Sequence, residues 1–450
     1  MFFPTSMSRR ALWLLPAALA IVFSACSNVT EVYRSIDLDV AQGKYLPAIH
    51  TIQANAAVYG EKSRVLYNLD IGLLYHYAGM PDSSDAYLFA AEREIGELYT
   101  KSISLAAISM LTNDNVLPYE GEDHEKVLVN LFLAMNYARQ GNDEDALVEA
   151  RKVDLKLREY SRQYEGKNKY QEDALIRYIA GALYENDDQT NDAFISYRKA
   201  YDAYLKYETD YHTPIPPCLL DDLVRTGRVM GFDDQVESFE QRGGTVPRGE
   251  DPGRGSIFVI AYAGRGPVKE ENRTTVSIPD SAGTVHTFQL ALPRFVPRFR
   301  GPRAYHVRVE GAGDSLITWE DRTVIAEDVT QIAEKCLEDR LGLIYLKSGG
   351  RAVLKMLAAE QAKKGLRKKD DNVLNFLGSL AVDLVVGITE QADVRMWGTL
   401  PAQIQVARIW LPPGRYTTYI EAADGGYSVG PDTLLVRKGR TEFVFVDDIR

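Results

Sequence analysis

The stretch ALIRYIAGALYENDDQTNDAFISYRKA, residues 174–200, decides how the first half of the chain folds. It carries two apolar patterns of helical period joined by a polar turn. Gly181, Tyr184, Ala193, Tyr197 and Ala200 are spaced so that small residues fall where two helices cross, with aromatic rings filling the gaps between. The acidic turn Glu185-Asn186-Asp187-Asp188, like Asn142-Asp143-Glu144-Asp145 upstream, lacks the spacing of a calcium loop and reads as turn and N-cap residues.

The same device recurs upstream. Ala134, Tyr137, Gly141, Ala146, Ala150 and Val153 mark another helix pair, Gly72, Tyr75 and Gly79 a third, and Gly43, Tyr45 and Ala48 a unit starting near Val29. This spacing resembles tetratricopeptide repeats, in which no single pair buries its apolar face and neighbours stack into a curved array. The units are degenerate: Leu155–Tyr170 reads as an extended second helix, and Ser102–Leu111 as a less regular one. If the array has a binding groove, the resemblance places Leu128, Leu131, Met135 and Ala138 on one inner helix. Leu175, Tyr178, Ala182 and Glu185 fall on the next. Twenty of the 26 tyrosines lie between Tyr33 and Tyr211. They fit either a peptide-binding groove or, more simply, packing between helices with hydroxyls at the rim.

Pro214-Ile215-Pro216-Pro217 ends the array, and Leu219–Met230 with Asp233–Gln241 reads as a helical cap. Residues 243–255 are rich in turn formers and read as a linker. Beyond it the apolar period becomes two. Ser256–Ala263, Thr274–Ile278, Val285–Leu292 and Arg303–Glu310 read as strands, and Val324–Leu337, Gly350–Leu366 and Asn372–Thr389 as helices. Ile404–Leu411 and Tyr416–Ala422, joined by Pro412-Pro413-Gly414-Arg415, read as a hairpin, with Leu434–Val436 and Glu442–Val446 completing a β-rich end. The expected fold is a multidomain α+β chain: a tetratricopeptide-like helical domain over 26–242, a linker over 243–255, and an α+β domain over 256–450 whose strands flank a helical block.

Charge breaks at the same boundary. Residues 26–250 hold 23 Lys and Arg against 38 Asp and Glu, whereas residues 251–450 hold 27 against 25. The acidic first half argues against nucleic acid as its partner. Two bodies with different surfaces, docked by screened surface pairs and separable by salt, are the expectation.

The N-terminus has the anatomy of an export signal: Arg9-Arg10, an apolar run from Ala11 to Ala25, then small residues. Phe23-Ser24-Ala25-Cys26 resembles the lipobox of bacterial lipoproteins, with Phe23 where that family usually has Leu. The resemblance implies a signal peptide over 1–25, lipidation of Cys26, and membrane attachment through that lipid. Ser27, in place of the Asp that retains enterobacterial lipoproteins, implies the outer membrane, facing the periplasm. Cys218 and Cys336 remain, and an exported compartment permits a disulfide between them as readily as two free thiols.

No catalytic constellation emerges. The six histidines are scattered, His124-Glu125 lacks the second ligand of a zinc-protease helix because Leu128 stands there, and no Gly-x-Ser-x-Gly elbow occurs. Gly264-Arg265-Gly266-Pro267 is no phosphate loop, since Pro267 lacks an amide donor. No cofactor or metal is expected. Arg294, Arg298 and Arg300 share strand parity and are candidates for an anion of the cell envelope, although a solvated loop or pairing with the acidic half is the simpler reading. Lys363-Lys364-Gly365-Leu366-Arg367-Lys368-Lys369 suits a helix C-terminus, and Val373–Ile388 reads as a buried central helix, about 24 Å long and short for a bilayer span.

Ala392-Asp393-Val394-Arg395-Met396-Trp397-Gly398-Thr399-Leu400-Pro401, followed by Leu411-Pro412-Pro413-Gly414-Arg415-Tyr416, resembles the hallmark of an uncharacterised family of bacterial tetratricopeptide-containing envelope lipoproteins. Phe258-Val259-Ile260-Ala261-Tyr262 and Ala291-Leu292-Pro293 fit the same family. The resemblance implies an envelope location with no assigned activity, and an association with peptidoglycan synthesis. The motif itself reads as structure: Asp393 and Arg395 share parity, Trp397 is a large anchor, and Leu400-Pro401 turns into the next strand. Three functions follow in order of expectation. The first is an envelope scaffold or adaptor that binds protein partners through the array. The second is a regulator of peptidoglycan synthesis that touches a synthase or glycan through the C-terminal domain. An envelope enzyme comes last.

Overall fold

The structure is a computed structural model that describes residues 34–111, 117–245, 253–279, 285–298, 301–311, 318–366 and 391–450. Cys26 and Arg300 lie outside these residues, as do Val373–Ile388 and most of the expected linker.

Eleven helices occupy 34–241 among the described residues. They are α1 (34–41), α2 (Tyr45–Ala54), α3 (Ala56–Tyr59), α4 (Arg64–Tyr77), α5 (Pro81–Leu111), α6 (Asp123–Gln140), α7 (Asp143–Gln163), α8 (Ala174–Asn186), α9 (Thr190–Asp210), α10 (Pro217–Val229) and α11 (Asp233–Gln241). The expected separate helix over Ser102–Leu111 is the end of the 31-residue α5. Helices pack in consecutive pairs, α4 with α5, α6 with α7 and α8 with α9, and each pair packs on the next. Gly181 shows why small residues recur at the crossings. A Cβ there would lie 2.2 Å from the Tyr197 ring.

Among the described residues the C-terminal half contains ten strands. Sheet A orders β10 (Thr441–Asp448), β1 (Gly255–Arg265), β7 (Pro401–Leu411) and β6 (Val324–Glu327). Sheet C orders β5 (Thr318–Arg322), β4 (Tyr305–Gly311), β8 (Gly414–Ala422) and β9 (Ser428–Val436). A separate two-stranded hairpin, β2 (Val268–Pro279) and β3 (Val285–Val296), packs against the 38-residue α12 (Val329–Leu366).

Three expectations give way here. β7 and β8 do not form a hairpin, because β7 pairs with β1 and β6 while β8 pairs with β4 and β9. Pro412-Pro413 instead turns the chain from one sheet into the other, pinned where the Tyr416 hydroxyl donates to the Pro412 carbonyl at 2.7 Å. Val324–Glu327 is a strand rather than the start of a helix. Its β-branched residues pair with β7, and the Asp328 side chain accepts from the Gln331 amide at 3.0 Å to open α12. Gly350–Leu366 is no separate helix but the second half of α12, which runs through Gly342, Gly349 and Gly350.

The largest correction concerns the two halves. β1 is buried on both faces, which explains its continuous apolar sequence. Ile257, Val259 and Ala261 face sheet C, with Val307, Val309 and Ile420 across from them. Phe258, Ile260 and Tyr262 face the helices and join one core that extends from Ile36 to Ile449. The layers are therefore helices, sheet A and sheet C. The array and the β-rich half do not keep separate cores, because each supplies the apolar face that covers the other.

Candidate functional site

Chemistry concentrates where sheet A meets the array. Arg408 lies at the centre of β7 opposite Phe258 of β1, on the face shared with Ile404 and Val406. Its side chain is wholly buried. Nη1 donates to Asp222 Oδ2 at 2.6 Å and to the Tyr197 hydroxyl at 2.8 Å. Nη2 donates to Glu185 Oε2 at 3.1 Å and Thr441 Oγ1 at 2.9 Å, and Nε to Ser256 Oγ at 3.1 Å. The five N–H groups of a guanidinium are thus matched by five acceptors. Arg225 forks onto Glu185 at 2.7 and 2.8 Å and reaches Asp222 at 3.1 Å. Two cations and two carboxylates balance, and the indole of Trp410 lies against both guanidinium groups, at 4.0 and 4.5 Å. Burial works against the Glu185 carboxylate, but Arg225 and Arg408 outweigh it and hold it at about 2. Such a network fixes the sheet on the array.

A second seam is the strap over 391–400, which enters β7. Trp397 is fully buried against Phe132, and its backbone N–H donates to Glu125 Oε1 at 2.7 Å. The Thr399 hydroxyl donates to Asp70 at 3.0 Å, and the Tyr77 hydroxyl to the Thr399 carbonyl at 3.2 Å. Arg395 pairs with Asp393 at 2.7 Å and donates to the Leu117 carbonyl at 3.0 Å. Glu125, the residue after His124, is engaged four ways. It closes the capping box of α6 with Glu122 and also accepts from Tyr119 and Trp397.

Between the 117–122 segment, the base of the β2–β3 hairpin, α12 and the strap lies a cleft of about 240 Å³. Glu122 accepts there from Lys269 at 2.5 Å and from Arg340. Burial disfavours its charge, yet these two cations hold the carboxyl well below the usual range. The cleft's buried charges are thus largely spent on one another.

None of the eight expected groove residues is exposed. Leu128, Leu131, Met135, Ala138, Leu175, Tyr178 and Ala182 are buried, and Glu185 is bound to Arg225 and Arg408. Tyr178 packs on Phe258 at 5.0 Å between ring centroids. Tyr178 and Glu185 thus meet sheet A and the other six are buried within the protein, so none is open to an outside partner. The two described anion candidates, Arg294 and Arg298, do not converge either. Arg294 is exposed and pairs with Glu270 at 3.2 Å, at the foot of the hairpin. Arg298 donates to the carbonyls of Gly266 and Gly398, each at 2.6 Å, and to Asp37 at 3.2 Å. Burial draws its guanidinium down to about 10. Cys218 and Cys336 are free thiols, and burial pushes Cys218 up to about 12.

Of the residues that hold the junction, Arg408, Asp222 and Asp70 carry no motif in the sequence, and Glu125 stands out there only in the pair His124-Glu125. One signal was present: an arginine inside the apolar strand Ile404–Leu411 must find buried acceptors. No protein-family model matches the chain, and no curated protein matches it. No described helix is long and apolar enough to cross a membrane.

Proposed function

We propose that this protein is a lipid-anchored scaffold or adaptor of the bacterial cell envelope, held at the outer membrane through Cys26 and facing the periplasm. Its helix pairs are taken as tetratricopeptide-like units used for rigidity rather than for an open groove. The observation that carries the reading is the closure of the inner helical face by sheet A, which leaves the outside of the array for partners. Apolar side chains stand there: Val148 and Leu155, two turns apart on α7, are 40% and 58% exposed, and Val229 is 70% exposed. Scattered apolar residues are ordinary on a surface, but a pair aligned along one helix is a candidate contact stripe.

The test is site-specific photo-crosslinking in cells. A crosslinker at Leu155 or Val229 should give discrete adducts with envelope proteins, while one at buried Tyr178 should give none. Adducts from Tyr178 alone would contradict the closed inner face, and no adduct from any outer position would contradict the adaptor reading. Recovery of cell-wall synthases in those adducts would turn the proposal towards regulation of peptidoglycan synthesis.

A further inference from the structure

The cleft beside α12 holds cations whose hydrogen-bond donors are not used up, and its walls are fixed from several sides. The Tyr119 N–H donates to the Lys62 carbonyl at 2.7 Å, Arg395 to the Leu117 carbonyl at 3.0 Å, and the Ala392 N–H to Glu271 at 2.9 Å. Leu337, Arg340, Ile344 and Lys347, spaced three and four apart, turn one face of α12 to the cleft. Leu117, Leu337 and Ile344 give it apolar surface. At about 240 Å³ it is smaller than the roughly 300–1,000 Å³ of sites that take drug-sized molecules, so its occupant is small.

Its charges do not balance. Lys269, Arg340, Lys347 and Arg395 line the cleft against Glu120, Glu122 and Asp393. Asp393 is spent on Arg395 at 2.7 Å, and Glu120 pairs with Lys126 at 3.5 Å. Glu122 is left to face three cations. Its Oε1 accepts from Lys269 at 2.5 Å and its Oε2 from Arg340, while the same carboxylate accepts from the Glu125 N–H in the capping box. The Lys269 side chain is 2% exposed, yet Glu122 is the one hydrogen-bond acceptor its three N–H groups find among the described residues. Lys347 is half-buried and has no partner among the described residues. Burying an ammonium with donors unmatched is costly, so this site is short of an acceptor.

We propose that the cleft binds a small organic acid, its carboxylate received by Lys269, Arg340 and Lys347 and its short apolar body lying on Leu117, Leu337 and Ile344. Lysine and arginine N–H groups form short charge-assisted bonds to a carboxylate, and apolar walls that exclude water strengthen them. A neutral molecule would leave the cations unmatched, and an acid without a body would leave the walls uncovered. The site is apart from the outer helical surface assigned to protein partners, and the inference does not depend on that role.

The experiment is a ligand-observed NMR titration of the purified protein with hexanoate, 1-hexanol and acetate. Hexanoate should bind with a dissociation constant of about 1–10 mM, as befits so few atoms, and hexanol and acetate about tenfold more weakly or worse. Lys347→Met should weaken hexanoate about tenfold, the worth of one hydrogen bond to a charged group. Leu343→Asp, at a lining position that is 53% exposed, places a like charge beside the ligand and should weaken hexanoate while sparing hexanol. Neither side chain has a hydrogen bond or ion pair among the described residues, so the thermal midpoint of the free protein should be unchanged in both variants. No binding of hexanoate at about 50 mM would overturn the proposal. So would hexanol or acetate binding as tightly as hexanoate, or undiminished hexanoate binding by both folded variants.

Discussion

Arg408 of β7 and Asp222 of α10 lie 2.6 Å apart, both side chains wholly buried, although 186 residues separate them in sequence. Removing one partner of such a pair leaves a buried charge without compensation, which costs about 3–5 kcal/mol. Arg408→Ala should therefore lower unfolding free energy by that amount in chemical denaturation. Arg408→Lys should lose a substantial part of it, since an ammonium cannot reproduce five donors in a planar fork. A loss below about 1 kcal/mol for Arg408→Ala would show that the junction does not depend on this network.

The helix crossings predict a graded pair. At Gly181 an added methyl meets the Tyr197 ring at 2.2 Å, whereas at Gly72 it meets the Leu88 side chain at 2.9 Å. Gly181→Ala should cost about 1–3 kcal/mol, and Gly72→Ala less, because a leucine can rotate away. Thermal unfolding of the two variants orders them. Equal or reversed losses would mean that the crossing geometry is misassigned.

The repeat spacing made these crossings legible in the sequence, because Gly181 and Ala193 can recur with Tyr197 only where backbones approach. Strand positions were legible too: period two marks Thr274–Ile278 and continuous apolarity marks β1. What the sequence concealed was the partner of each face. The pattern of β1 says that both faces are buried, but not that one is buried under α6 and α8. Charge contrast misled for a related reason. Arg139 and Lys269 meet Asp447 and Glu122 in partly buried pairs across the junction, so the opposite charges bind the halves where screened surface contacts were expected. The Pro412-Pro413 corner looked like a hairpin because turn residues report a change of direction and not which strand comes next.

Buried carboxyls give the protein a pH signature. Burial pushes Asp70 up to about 7 despite the hydroxyls of Tyr59 and Thr399 that donate to it, and Asp173 up to about 6. A carboxyl raised on folding contributes stability that is full below its unfolded value and is lost as pH rises through the folded one. Stability should therefore fall between about pH 4 and pH 7, and Asp70→Asn should flatten that slope by removing one titration. Glu185 acts in the opposite sense, its contribution being lost only as pH falls towards 2. Thermal midpoints at pH 5 and pH 8 for both proteins provide the check, and parallel profiles would exclude Asp70 as a source.

The anchor has its own test. Cells producing the Cys26→Ala variant should accumulate a larger, unprocessed form that takes up no labelled fatty acid. Unchanged labelling would remove Cys26 as the lipid site.

The central claim is that the helical array and the β-rich half share one core and behave as one body. A protease site placed between Thr245 and Gly253 allows the chain to be cut at the boundary without touching a described helix or strand. After cleavage the two pieces should elute together by size exclusion, even in 1 M salt, because apolar burial of Phe258, Tyr262 and Trp397 is not screened as surface charge pairs are. They should also unfold in one transition. Two fragments that part as salt is raised, each with its own unfolding transition, would contradict the account.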